Sequence, residues 1–248
     1  MKFLKWAGIL VGTLLVLVVL FLGWLGFMPW LSNYIGPKPR DMGVEMTVEN
    51  AYSAAEAMNI PTTTSKLEAI LADPDSAKRL DATVTDDEVS SLLAMGQTTI
   101  PDWPLRRVQV RFNDDGTAEA SGVLVAGELP GFLSGLGVPQ SEIDVVYDRV
   151  PVLRGNVVVY AAGACSVSNN TVDLALSEIQ VGRITIPADW YQGKESYGTK
   201  YIDGALASNG FQIDSLTIGG DGVTIKGTQP LSAMEPYLHI VTADAGGE

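Results

Sequence analysis

A chain of 248 residues with 29 acidic against 16 basic side chains, one cysteine and one histidine excludes several classes at once. Nucleic-acid binding needs a basic footprint, and a formal net charge of −13 does not provide it. Cys165 alone cannot make an internal disulfide framework, and His239 alone leaves no material for a histidine-rich metal site or a serine–histidine dyad.

The first predicted element is an apolar run. Trp6 to Leu31 carries no charge, and Thr13 is its only hydroxyl. Trp6 to Phe27 as a helix would measure roughly 33 Å, enough to cross a bilayer core of about 30 Å. Lys2 and Lys5 flank its start. Trp24, Phe27, Trp30 and Tyr34 crowd its far end, where amphipathic rings favour the headgroup level. A cleaved signal peptide would be shorter and end in small residues, whereas bulky rings fill the region where cleavage would fall. Residues 1–35 therefore read as an uncleaved signal anchor of a single-pass membrane protein.

Lys38 and Arg40 beyond the run balance Lys2 and Lys5, so the positive-inside count is a tie. Residues 41–248 hold all 29 acidic residues and 12 of the 16 Lys and Arg, a charge of −17. That acidic bulk places the N-terminus in the cytoplasm and the large domain outside it, with the reverse orientation as the alternative. It also argues against electrostatic docking on anionic headgroups.

Gly36-Pro37-Lys38-Pro39 stops the helix, so residues 36–41 read as a stiff linker and 42–240 as one extracytoplasmic domain with its own core. From Thr47 to Met58, the spacing of Val48, Ala51, Tyr52 and Ala55 predicts a short amphipathic helix. Leu67, Ile70 and Leu71 suggest a helical turn or two, and Asp73-Pro74-Asp75-Ser76 a turn. Thr85-Asp86-Asp87-Glu88 is a capping box, with Val84 and Val89 as its hydrophobic staple and Gly96 as the helix stop.

Three hairpins follow. In the first, Asn113 pairs with Thr117 through a bulge at Gly116, which sets Phe112 against Ala118, Val110 against Ala120 and Val108 against Gly122. The opposite face pairs Arg111 with Glu119 and Gln109 with Ser121. The second turns at Asn169-Asn170 and sets Val167 against Val172, Cys165 against Leu174 and Gly163 against Leu176. Cys165 then behaves as a small buried hydrophobe. Phase slips near Ser177-Glu178 and Gly182-Arg183 predict two bulges in one long strand. The third hairpin turns at Gly220-Asp221 as a type II′ turn, with Ile218 opposite Val223 and Leu216 opposite Ile225. Between the last two, 188–209 carries a helical stripe weakened by glycines and closed by Gly210, and 241–248 reads as a tail.

Chemistry is scarce. Asp114-Asp115 and Asp73/Asp75 lack the spacing of a calcium loop. Ser134 lacks a nucleophile elbow, and the scattered carboxylates nominate no acid–base pair. The reading is a non-enzymatic protein without catalytic residues, metal or cofactor. One stretch is odd for a solvated loop: Leu129, Phe132, Leu133 and Leu136 fall at helical spacing between glycines and prolines. It is either a short helix capping the sheet or an apolar lip that contacts membrane or ligand tails.

The anchor, the capped helix VTDDEVSSLLA, the strand pair VQVRFNDDGTAEASGVL and the run NNTVDLALSEIQVGRITIP together resemble two families. These are the small anchored bacterial proteins of the YpmS type and the LmeA-like phospholipid-binding proteins, over about residues 84–228. The resemblance implies an α+β fold in which a long curved antiparallel sheet of hairpins wraps helices, similar to tubular lipid-binding domains. It supplies no catalytic residue. The function expected is a membrane-anchored domain that binds a lipid or other amphiphile. The alternative is an envelope scaffold or protein-interaction domain without a ligand cavity.

Overall fold

The computed structural model describes residues 13, 16–21, 36–73, 78–100, 102–135, 137–149 and 155–230. The anchor expected over 1–35 lies outside the described residues except for Thr13 and 16–21, as do Leu136, Pro74 to Ser76, His239 and the tail. Among the described residues, no helix is long and apolar enough to cross a membrane.

The domain is α+β. In chain order it runs α1 (Val48–Ala57), α2 (Thr64–Ala72), β1 (Arg79–Val84), α3 (Asp86–Thr99), β2 (Leu105–Phe112), β3 (Thr117–Val125), α4 (Leu129–Gly135) and α5 (Gln140–Arg149). Then come β4 (Asn156–Ser168), β5 (Thr171–Val181), β6 (Ile184–Thr185), a 3-10 turn (Ala188–Trp190), α6 (Ser196–Ser208), β7 (Gln212–Gly219) and β8 (Gly222–Thr228).

Its eight strands form one antiparallel sheet with β4 as the spine. One edge of β4 pairs with β5 from Val159↔Val181 to Ser168↔Thr171. The other edge pairs with β3 as far as Ala164↔Thr117, then with β7 at Val167↔Leu216 and Ser168↔Ser215. Two wings, β3–β2 and β7–β8–β1, therefore leave the same edge of one strand. They meet turn to turn. A Cβ on Gly116 would lie 3.8 Å from the Ile218 carbonyl oxygen, and one on Gly220 would run into the Asp114 carboxylate.

Local sequence accounts for the hairpin registers. Asn113 donates to the Thr117 carbonyl at 2.9 Å and Gly116 sits at φ +83°, so Phe112 faces Ala118 and Arg111 faces Glu119. Glycine is needed there because a β-branched residue at that φ clashes with its own backbone. Gly116→Val is expected to destabilise by more than about 1 kcal/mol while Asp114→Ala stays near neutral in thermal unfolding; equal shifts would contradict this register. Asn169 and Asn170, at φ +49° and +61°, make the expected I′-type turn, and Cys165 faces Leu174. In the third hairpin Ile218 faces Val223, but Gly220 is not in the left-handed region; the positive φ falls on Gly222, at +132°. The II′ assignment is thus corrected, because Gly222 must press against Val84 and Thr85 of the neighbouring strand and cap.

The bulge near Ser177 is present, as a register shift between Ala162 and Gly163 of β4. The second phase slip is not a bulge. Gly182, at φ +65°, reverses the chain, so Ile184 folds back on Val181 as β6. A two-residue reversal and a bulge disturb the alternation alike, and only the partner strand distinguishes them.

The helices follow their caps. Thr47 accepts from the Asn50 amide, and Thr85 and Glu88 exchange both bonds of the capping box. Burial pushes the Glu88 carboxyl up, but hydrogen bonds from Ser53 and from the Thr85 amide and hydroxyl outweigh it and hold the net value below the usual range. α1 buries Ala51, Ala54 and Ala55 and leaves Val48 and Tyr52 exposed, so its packed face is the alanine stripe. α3 runs through Gly96 to Thr99 and stops before Pro101, which disfavours helix at Ile100. Gly96 instead leaves room for the Trp103 ring, 3.4 Å from where its Cβ would be. The stripe at 188–209 splits at Gly193 (φ +75°) into the 3-10 turn and α6.

Two elements escaped the sequence reading. β1 alternates buried Leu80, Ala82 and Val84 with exposed residues, and α5 buries Ile143. One core cluster joins Ala54 of α1, Val84 of β1, Phe112 of β2 and Val223 of β8, with Val89 and Leu92 of α3 packed on it. A second joins Leu80, Ala82, Val167 and Ile213, closed by Leu206 of α6. Helices α1, α3 and α6 thus cover the apolar face of the sheet.

Candidate functional site

Leu129–Gly135 is a helix followed by a glycine cap. Glu128 accepts the Phe132 amide at 3.2 Å, and the Glu128 carboxylate is held by Arg106 at 2.7 and 2.9 Å. At the other end Gly137, at φ +81°, donates to Ser134 and Val138 donates to Leu133, the bond pattern of a Schellman motif. Leu129, Phe132 and Leu133 all stand half-buried on α4, and the helix buries none of its side chains fully. Leu136 lies outside the described residues.

Phe132 meets Trp103 edge-on, with ring centroids 5.5 Å apart and planes at 88°. Trp103 is the residue that sequence reasoning missed. Its position between Pro101 and Pro104 was the available signal, since prolines on either side fix the path that aims the ring. Its indole N–H is buried without a hydrogen-bond partner. A buried donor left unpaired costs about 1–3 kcal/mol. The lip residues and the Trp103 ring therefore form one candidate contact site.

A second feature is the seam between the two wings. Where β3 has ended and β7 has not begun, Ala164, Cys165 and Ser166 of β4 line an open cleft of about 240 Å³ with Gly116, Asp173 and Ile218. Its lining is mostly apolar, but it is smaller than the roughly 300–1,000 Å³ of ordinary ligand pockets and leaves no room for a whole acyl chain. Cys165 is half-buried here, not sealed in the core. Burial, then the Asp173 charge, raises its thiol pKa and keeps it protonated. Asp115 is committed to its own turn, accepting from the Thr117 amide and hydroxyl at 3.0 and 2.6 Å.

The third feature is at residues 36–47, which are docked. The Arg40 amide donates to Ser121 Oγ at 2.9 Å. Its guanidinium lies 3.4 Å from the centroid of the Tyr160 ring and 3.5 Å from the Glu178 carboxylate. Tyr160 is buried and donates its hydroxyl to Glu119; burial and Glu119 raise its pKa, with Arg40 opposing. Met42 is buried and donates its amide to Gln109. The stiff linker expected over 36–41 carries this docked arginine near its end. Arg40 is fastened across β3, β4 and β5, and the charge–ring stack needed residues far apart in sequence.

In the apolar run, residues 16–21 are helical and expose Val16, Leu17, Val18, Leu20 and Phe21. Among the described residues, no group of three or more His, Cys, Asp and Glu side chains could hold a metal ion. Comparison with protein-family models, curated proteins and solved structures finds no match to this chain.

Proposed function

We propose that the chain is a single-pass membrane-anchored protein whose domain faces away from the cytoplasm and binds a lipid or other amphiphile without catalysis. The observation that carries this reading is the helix at 16–21. It turns large apolar side chains outward on consecutive residues, which water disfavours and hydrocarbon accepts. The neighbouring sequence supplies the length to span a bilayer and a charge-free composition. The lip on α4 supports amphiphile binding: its leucines and Phe132 stand half-buried and offer apolar contact. In this reading the sheet is the curved wall of a tubular lipid-binding domain of the YpmS or LmeA kind. A second reading, a scaffold with a filled core, is favoured by the packing of Ala54, Val84, Phe112 and Val223 beneath α1 and α3.

Native mass spectrometry of the detergent-extracted full chain tests the choice. Phe132→Ser with Leu133→Ser is expected to reduce co-purified lipid while shifting the unfolding midpoint only slightly. If these side chains plug the core, each large-to-small change costs about 2–5 kcal/mol and the double variant loses lipid and fold together. That joint loss would sink the lip.

A further inference from the structure

The register places Ile184 at the end of the sheet where α4 and α5 begin, and the chain then runs back along β5, with the Ile186 amide bonded to the Ile179 carbonyl at 2.8 Å, to reach Trp190. β3 ends with Val125 opposite Asn156, the first residue of β4, so α4 and α5 follow from that end. β5 returns to the same end, with Val181 opposite Val159 and the Gly182 amide bonded to the Val158 carbonyl at 2.7 Å. The chain beyond Gly182 leaves Ile184 39% and Trp190 64% exposed, and α5 leaves Val145 46% exposed. Tryptophan in water at that exposure is an unmet burial, and its ring belongs where apolar and wet regions meet.

The tether says what covers them. Arg40 is clamped on Tyr160, in the first half of β4, and on Glu178. Tyr191, next to Trp190, donates to the carbonyl of Ser177, the residue before Glu178. The start of the domain and the Trp190 segment are thus held to adjacent residues of β5. Residues 32–40 between the apolar run and the clamp span at most ~30 Å when fully extended, and the Gly36-Pro37-Lys38-Pro39 path is stiff. A short, pinned tether on this part of the sheet keeps the β5–β6 edge that carries Ile184 and Trp190 within reach of the bilayer.

We infer that the domain rests on its own membrane through the β5–β6 edge, with Trp190 and Ile184 seated at the lipid headgroup level. The inference depends on the anchored reading above. Apolar contact supplies the affinity, because a −17 domain gains nothing from anionic headgroups. The Arg40 clamp sets the orientation: a tether attached at another point of the sheet would present a different edge.

The test uses the full chain in phosphatidylcholine vesicles that contain nitroxide-labelled phosphatidylcholine. Cys165→Ala removes the native thiol, and Trp190→Cys, Ile184→Cys or Thr171→Cys then carries an environment-sensitive fluorophore. Thr171 is the control, exposed at the opposite end of the β4–β5 hairpin. Labels at 190 and 184 are expected to be quenched several-fold more strongly than the label at 171, with blue-shifted emission. Equal, weak quenching at all three sites in protein that floats with the vesicles would overturn the docking and leave the anchor standing. Failure of the full chain to float would overturn the anchor, and the docking with it.

Discussion

Gly222→Val is expected to lower stability by more than about 4 kcal/mol, a loss reserved for changes that force backbone apart in a packed centre. Gly222 opens β8 at φ +132°, a conformation that side chains rarely adopt. A Cβ there would land on the Val84 carbonyl oxygen and lie 3.1 Å from the Thr85 Cα. Both neighbours are backbone, so no side chain can swing aside. Val84 also ends β1, belongs to the core cluster with Val223, and precedes the cap of α3. Displacing it would therefore loosen the β1–β8 pairing, the staple and the capping box together. The contrast is Gly198→Ala on α6, where a Cβ meets nothing within 4 Å; that change is expected to be neutral or to stabilise by up to about 1 kcal/mol. Thermal unfolding of both variants checks the pair. An unchanged midpoint for Gly222→Val would mean that β8 does not approach Val84 as described.

The hairpins were legible because each carries its register locally. Gly116, the Asn169-Asn170 pair and the alternation next to each turn leave one pairing that keeps apolar residues on one face. It holds up to the bulge at Arg107 (φ +52°), where Val108 loses its simple pairing with Gly122, and the one near Ser177. The capping box was legible for the same reason, since Thr85 and Glu88 satisfy each other within four residues. Pairings between distant segments were not. Nothing near Leu80 announces Gly227 as its partner, and nothing near Ser168 announces that β4 passes from β3 to β7. β1 could have been found from Leu80, Ala82 and Val84 alone, but its alternation is short and follows soon after Pro74 in the sequence. The candidate site divides in the same way. The leucines and Phe132 declared themselves by spacing, whereas Trp103 beneath them and the Arg40 clamp depend on which strands become neighbours.

Asp86→Ala combined with Ser90→Ala is expected to cost about 2–5 kcal/mol and to make the domain associate with itself, because these two side chains close the open edge of the sheet. β2 is the last strand on its wing, so its outward backbone groups have no strand to meet. The Ser90 hydroxyl, fully buried, accepts the Val110 amide at 2.9 Å and faces the Val110 carbonyl at 3.4 Å. One turn earlier on α3, Asp86 accepts the Phe112 amide at 3.1 Å. Burial raises the Asp86 carboxyl despite that amide, so this acceptor is held in place at some electrostatic cost. Helix α3 thus covers the edge as another strand would, with side-chain oxygens in place of carbonyls. Removing both leaves Val110 and Phe112 with unpaired donors next to the buried Phe112 ring, and the available remedy is an edge from another molecule. Asp86→Asn retains an acceptor oxygen and is expected to stay close to the parent. Unfolding midpoints and light scattering on the detergent-solubilised chain provide the measurement. A double variant that remains monomeric with the parent's midpoint would show that the β2 edge is satisfied by something other than α3.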